Sequence, residues 1–80
     1  SAASDVYKRQ VEYKPTCMVE VYEKFNKYPV ETTFDFFFSR GYRCFYNHKG
    51  QGLKPVRSIE EGVEAPRIPE ITDGDFLFTI

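Results

Sequence analysis

The segment TCMVEVYEKFNKYPVETTFDFFFSRGYRCFY, residues 16–46, decides the fold that we expect for this chain. Residues 16–22 are almost entirely apolar and predict a strand. Residues 30–40 carry apolar side chains at helical spacing, and Gly41 predicts the end of that helix. Residues 42–46 are a second, aromatic-rich strand. A strand, a crossover helix and a second strand are typical of a layered α/β sheet in which both strands run parallel.

Two details of this segment predict that it packs inside something larger. Glu20 is the one charged residue of the first strand, so we expect both faces of that strand to be covered. Phe34 and Phe37 lie on the apolar stripe of the helix, whereas Phe36 lies off it. In an isolated domain Phe36 would be exposed, and in a larger protein it would meet a neighbour.

The remainder of the chain predicts a loop-rich path to a final strand. Residues 47–52 predict a turn or open loop, and residues 53–73 a long connection. Within that connection Ser58 and Glu61 have the spacing of a capping box, which predicts a short helical turn ended by Gly62. Residues 75–80 predict a last strand, antiparallel to the second. The expected fold class is therefore α/β, in the order strand, helix, strand, loop, strand.

Composition excludes several kinds of partner. The 80 residues form one small domain at most, and with 41% hydrophobic residues they are not typical of a disordered chain. A formal net charge of -1 gives no general attraction to nucleic acid or to anionic lipid. No apolar run approaches the roughly 20 residues needed to span a bilayer. We expect neither a nucleic acid nor a membrane as partner.

Cys17 and Cys44 each lie in a predicted strand. We interpret them as reduced, buried thiols of a cytoplasmic protein. The alternative is a disulfide between them, which requires Cα atoms within about 7 Å of each other.

Residues 1–10, SAASDVYKRQ, show no apolar periodicity and predict no regular element. They resemble, letter for letter, the in-frame translation of a transposase-type adaptor used in sequencing libraries. This resemblance implies a non-native tail, so that the biological chain begins near Val11. The alternative is a genuine, disordered N-terminus.

Four short stretches, in this order, carry a further resemblance: KPTCMVEV (residues 14–21), FFSRGYR (37–43), LKPV (53–56) and DFLF (75–78). Together they resemble the C-terminal end of the FkbM-type S-adenosylmethionine-dependent methyltransferases. That family has a Rossmann-like, three-layer fold with a seven-stranded sheet, helices on both faces and an antiparallel strand near its end. The resemblance implies that residues 11–80 supply the last three strands and that the remainder of the domain is missing.

The same resemblance implies the chemistry. The full-length parent is expected to methylate a hydroxyl of a sugar, a lipid or a secondary metabolite, with S-adenosyl-L-methionine as cofactor. The glycine-rich turn that cradles this cofactor and the acidic residue that takes its ribose hydroxyls are absent from these 80 residues. We therefore expect the isolated chain to bind no cofactor and to be inactive.

Ligands of open α/β sheets sit outside the carboxyl ends of the strands, which directs attention to three residues. Glu20 is the candidate base for the substrate hydroxyl, and the alternative is a structural carboxylate satisfied by a neighbouring backbone or basic group. Tyr22 and His48 are candidates for the substrate pocket; their alternatives are a packing aromatic and a solvent-facing loop histidine. With one histidine and no clustered carboxylates, we expect no metal site.

Two binding functions compete with the enzyme. Residues 40–46, RGYRCFY, begin like an RNA-recognition strand, but Arg43 and Cys44 depart from that pattern. A small, self-contained α+β interaction domain is the other alternative. It predicts cooperative unfolding of residues 11–80, whereas a truncated enzyme predicts a poorly packed or aggregating fragment.

Overall fold

The computed structural model describes residues 2–21 and 29–80, with side chains for residues 7–21 and 29–80. Within these ranges no helix is both long and apolar enough to cross a bilayer. The described elements, in chain order, are α1 (Ala2–Tyr13), β1 (Thr16–Glu20), α2 (Val30–Phe38), β2 (Arg43–His48), β3 (Gly52–Val56), α3 (Ile59–Glu64), a 3-10 turn (Ala65–Arg67) and β4 (Asp75–Thr79).

The four strands form one sheet in the order β1-β4-β2-β3, and every neighbouring pair is antiparallel. Because β4 is antiparallel to both β1 and β2, those two strands point in the same direction. The predicted α/β class, the parallel direction of the two strands joined by α2, and the antiparallel final strand are therefore confirmed. The last strand lies between the other two rather than at an edge.

The described helices cover one face of this sheet and leave the other open. Cys17 and Val19 of β1 are buried on the helix side, and Phe76 and Phe78 of β4 continue the same buried rows. Met18, which points the other way, is 65% exposed. The prediction that both faces of β1 are covered is thus wrong for the described part of the chain. Strict alternation of buried and exposed residues is the pattern of a sheet with one wet face.

Aromatic rings fill the space between α2 and β4. The rings of Phe37 and Phe78 stack at 4.0 Å, and Phe34 meets Phe76 edge-on at 5.1 Å. All four side chains are fully buried. Such rings each remove a large apolar area from water and also fix their mutual geometry, so they specify how the helix sits on the sheet.

Residues 2–13 form a helix, which corrects the prediction of no regular element there. Tyr7 and Val11 are four residues apart, so both lie on one helix face and pack on the core. The ring of Tyr7 lies 6.0 Å from that of Phe36 and 5.2 Å from that of Phe37. Phe36, expected to be exposed in an isolated domain, is consequently 3% exposed, with the guanidinium of Arg40 3.7 Å above its ring. The adaptor origin of residues 1–10 stays a prediction.

The predicted end of α2 at Gly41 is confirmed. Gly41 has φ +81°, its N–H donates to the carbonyl of Phe38 at 3.0 Å, and the N–H of Tyr42 donates to that of Phe37 at 3.1 Å. This pattern is a Schellman motif, in which a glycine takes the left-handed position at little steric cost. The rings of Phe37 and Tyr42 then meet edge-on at 5.2 Å, which adds the apolar contact that accompanies the motif.

The predicted loop and long connection after β2 contain more structure than expected. Residues 49–51 are a turn, and β3 pairs with β2 beyond it, so residues 43–56 form a hairpin. The N-cap at Ser58 is confirmed: its hydroxyl accepts from the N–H of Glu61 at 3.2 Å, while the carboxylate of Glu61 accepts from the N–H of Arg57 at 2.9 Å, one residue before the position that a full capping box requires. Gly62, however, lies inside α3 and does not end it.

Candidate functional site

The carboxyl ends of β1 and β2 meet at one edge of the sheet, because the two strands point the same way. Glu20 ends β1 and His48 ends β2, and β4 begins between them at Asp75. Residues 68–74 run into this edge from the 3-10 turn. It is the part of the described chain where a ligand of an open α/β sheet is expected.

Glu20 is exposed on the open face of the sheet. Its register partner on β4 is Asp75, so two carboxylates stand directly opposite each other on that face. Like charges in this position repel and destabilise a strand pair. Within residues 7–21 and 29–80 no basic group forms an ion pair with Glu20. Of the two structural alternatives, a carboxylate held by a basic group therefore has no partner in the described part of the chain.

His48 points to the other face of the sheet. Side chains of β2 alternate, and His48 shares the side of Tyr46, whose ring lies 5.9 Å from the imidazole. Its Nδ1 is 2.8 Å from the carbonyl oxygen of Lys49. A carbonyl only accepts, so in the neutral ring Nδ1 carries the proton and Nε2 is left as acceptor.

The structure therefore does not bring Glu20 and His48 together. Two strand spacings separate β1 from β2, about 10 Å, and the two side chains project from opposite faces. They cannot share a proton or hold one small group between them. Tyr22, the third candidate, lies outside the described residues.

Lys49 fixes the loop at this edge, a role that the sequence did not predict. Its Nζ donates to the carbonyl of Pro69 at 2.6 Å and lies 2.8 Å from Oδ1 of Asp73. Its backbone N–H donates to the carbonyl of Ile71 at 2.7 Å. The two ion-pair partners are exposed and gain little from their charges. The hydrogen bonds to the backbone are what hold the loop against the end of β2.

The same loop is fastened to β1. The N–H of Val21 donates to the carbonyl of Gly74 at 2.8 Å. The buried hydroxyl of Thr72 accepts from the N–H of Gly74 at 3.2 Å, which gives a buried polar group its partner. Lys49 and Pro69 are 20 residues apart and leave no local pattern in the sequence, so the role of Lys49 could not have been found from it. The bond between Thr72 and Gly74 spans two residues, and a threonine two positions before a glycine is a local turn signal.

The two thiols, Cys17 and Cys44, lie near the starts of their strands and away from the carboxyl ends. Cys17 and Cys44 both pair with Phe78, one from each side, so two strand spacings, about 10 Å, separate them. That distance exceeds the reach of a disulfide, and both cysteines are free and buried. Burial raises the pKa of Cys44 to about 12 and raises the pKa of Cys17 against the opposing charge of Lys14. Both thiols are protonated at neutral pH and are poor nucleophiles.

Two features that a cofactor or metal site would need are, respectively, a glycine turn at the start of a helix and a cluster of metal ligands. Of the four glycines with positive φ, Gly41, Gly50, Gly52 and Gly74, none follows a strand and opens a helix. Within residues 7–21 and 29–80 no three histidine, cysteine, aspartate or glutamate side chains cluster as metal ligands. A groove of about 480 Å³ lies near the start of β1, away from the carboxyl ends, between Tyr13 and Met18.

Comparison of the chain with protein-family models, with curated proteins and with solved structures found no match.

Proposed function

We propose that residues 11–80 are the C-terminal portion of an FkbM-type S-adenosylmethionine-dependent methyltransferase that acts on a hydroxyl of a sugar, a lipid or a secondary metabolite. One observation carries the proposal: β1, α2 and β2 form a strand-helix-strand unit of parallel direction, and β4 lies antiparallel between its strands. The sheet of that family likewise combines parallel strands with an antiparallel strand near its end.

The open face of the sheet supports the same proposal. Met18, Leu77 and Phe45 occupy one row across β1, β4 and β2 on that face. Met18 is exposed, and the other two side chains are partly buried. A contiguous apolar row on a sheet surface marks a contact with another element. In the proposed parent, helices of the third layer cover this row.

The proposed catalytic group is Glu20. It stands at the carboxyl end of its strand, without a basic partner among the described residues, beside a second carboxylate, Asp75. Its carboxylate is free to accept the proton of a substrate hydroxyl as that oxygen becomes a nucleophile. Tyr22 and His48 are proposed to line the substrate pocket. Because His48 and Glu20 face opposite sides of the sheet, His48 is proposed to contact only a part of the substrate that extends past the strand ends to the other face.

The cofactor is proposed to bind the missing part of the sheet. None of the described residues forms the glycine-rich turn that it requires. The chain of 80 residues should therefore bind no S-adenosylmethionine, which calorimetric titration tests directly. We further propose a cytoplasmic location, which agrees with two free cysteines.

The decisive experiment extends the reading frame upstream of Val11 and expresses the parent protein. The proposal requires a strand followed by a glycine-rich turn in that extension, and transfer of a labelled methyl group to an alcohol acceptor. Glu20→Gln is expected to lower kcat by about 10²–10⁴ without changing cofactor affinity. Glu60→Gln, at an exposed carboxylate of α3 away from Glu20, is the control, and its kcat should stay near that of the parent. A start codon immediately before Val11, or equal effects of the two substitutions, contradicts the proposal.

A small α+β interaction module is the second candidate, and the closed core favours it. Phe34, Phe37, Phe76 and Phe78 are fully buried within these 80 residues. Such a module unfolds cooperatively on its own, so a single urea transition of the 80-residue chain, which keeps Tyr7 in the core, supports it when fluorescence and circular dichroism report it alike. A non-cooperative or aggregating fragment supports the truncated enzyme.

The RNA-binding alternative has less support. Arg43 and Phe45 of β2 do lie on the open face, but Cys44 and Tyr46 point to the helices. RNA-binding sheets of this kind stack two or three bases on several rings, and Phe45 is the one aromatic residue that the described strands place on that face.

A further inference from the structure

The outer edge of β1 has backbone groups that point away from the sheet. The N–H of Val21 and the carbonyl of Pro15 both bond to the β4 side, to Gly74 and Ile80. Backbone groups alternate along a strand, so odd-numbered residues bond to β4. The backbone N–H and carbonyl groups of Thr16, Met18 and Glu20 therefore point away from β4, toward the outside of the sheet. The described residues place no strand beyond β1.

The two edges of the sheet differ in how they are protected. At one edge, β3 carries Lys54 and Pro55, which are residues that block the addition of another strand. At the other edge, β1 contains neither lysine nor proline, and Glu20 is its one charge. An unprotected strand with outward-facing N–H and carbonyl groups is a template for strand addition.

There is space beside this edge. The groove of about 480 Å³ is lined by the last turn of α1 and by β1, including Tyr13, Cys17 and Met18. Side chains at positions 17 and 18 point to opposite faces of the sheet, so a groove that touches both reaches around the edge. Tyr13 is 79% exposed, so most of this aromatic wall of the groove faces solvent.

We propose that a second copy of this chain binds here, with the two β1 strands antiparallel about a two-fold axis at Met18. This register places Met18 opposite its own counterpart and Thr16 opposite the other copy's Glu20. All three residues have outward-facing groups, so each opposed pair forms as a hydrogen-bonded pair of the ladder. The exposed Met18 side chains then cover each other on the open face, in a self-complementary contact.

Charge complementarity favours a second copy. Lys14 precedes β1 and Glu20 ends it, so the strand is basic at one end and acidic at the other. The two-fold axis sets Glu20 diagonally across from Lys14 of the other copy, within reach of a long side chain. In each copy this places a cation beside the repelling carboxylates of Glu20 and Asp75. This dimer is proposed for the chain of residues 1–80 and does not depend on the proposed function. In a larger sheet, a preceding strand would compete for the same edge of β1.

Sedimentation equilibrium of the 80-residue chain in reducing buffer, from micromolar to millimolar concentration, tests the proposal. The chain should show a reversible monomer–dimer equilibrium. Met18→Pro removes an outward N–H and spares the bonds to β4, and Met18→Lys places two like charges face to face. Each should raise the dimer Kd by about tenfold or more. Leu53→Lys, at the exposed edge strand β3, is the matched control and should leave Kd unchanged.

Circular dichroism and urea unfolding separate association from folding. Met18 is exposed, so Met18→Lys should keep the spectrum and the unfolding transition of the monomer. A chain that stays monomeric at all concentrations overturns the proposal. So does a dimer whose Kd is the same in Met18→Pro, because it uses another surface.

Discussion

Gly62 of α3 faces the ring of Phe34 of α2, and a methyl group at position 62 would lie 2.6 Å from Cε1 of that ring. Phe34 is fully buried and cannot move aside, since Phe76 meets its ring edge-on at 5.1 Å. The absence of a side chain at Gly62 thus sets the distance at which the two helices pack. This close approach explains why a glycine stands inside a helix rather than at its end.

Gly62→Ala should destabilise the chain, although alanine is the better helix former. Overpacking costs about 1–3 kcal/mol, whereas the gain in helix propensity is about 0.5–1 kcal/mol. We expect a net loss of about 1 kcal/mol in the free energy of unfolding, measured by urea titration. In a Phe34→Leu background the methyl group has room, and the same substitution should become neutral or stabilising. A stabilising Gly62→Ala in the unaltered chain would show that the two helices do not pack this closely.

The sequence predicts those parts of the fold that depend on local patterns. The stripe of α2, the glycine at its end and the N-cap at Ser58 each follow from neighbours within a few residues. Strand β3 was missed because Gly52, Lys54 and Pro55 are poor strand formers, and its pairing with β2 decides the outcome.

The candidate site was predicted less well, because it depends on which strands become neighbours. Position in sequence placed Glu20 correctly near the carboxyl end of its strand, whereas His48, expected in the loop of residues 47–52, is the last residue of β2. It could not show that β4 separates the two strands or that the side chains face opposite ways, since register and strand order are set by contacts between distant residues.

Thr33 offers a test of polar burial in α2. Its side chain is fully buried, and its hydroxyl is unpaired within the described part of the chain. A buried hydroxyl without a partner costs about 1–3 kcal/mol, so Thr33→Val should raise the free energy of unfolding by about 1 kcal/mol. Thr32 is the matched control, since its hydroxyl donates to the carbonyl of Pro29 at 2.6 Å. Thr32→Val should not be stabilising, and equal effects of both substitutions would count against an unpaired Thr33.

The N-cap position makes Ser58 a stabilising residue. Ser58→Ala leaves the N–H of Glu61 without its 3.2 Å partner and should lower the free energy of unfolding by about 1 kcal/mol. The hydroxyl of Ser39 donates to the carbonyl of Phe36 at the end of α2 and accepts from the guanidinium of Arg40 at 3.4 Å, so it caps no backbone N–H. Ser39→Ala is therefore the control and should have a smaller effect in the same urea titration. Equal losses would assign the effect to the removal of any serine hydroxyl.

The buried thiol of Cys44 should make the folded protein less stable at alkaline pH. Burial raises its pKa from 9.0 to about 12, so between these values the unfolded thiol ionises while the folded one stays protonated. Stability from this group is complete below pH 9.0 and is lost as pH rises toward 12, by about 2 kcal/mol near pH 10.5.

Urea unfolding of Cys44→Ala at pH 8 and pH 10.5 measures this contribution. The substitution should flatten the alkaline decline by about the amount calculated for the thiol. Tyr42, whose pKa burial also raises, contributes a decline common to both chains and cancels in the comparison. Cys17→Ala should flatten the decline less, because the charge of Lys14 opposes the effect of burial on the pKa of that thiol. An alkaline decline that is the same in Cys44→Ala as in the unaltered chain would contradict a deeply buried Cys44.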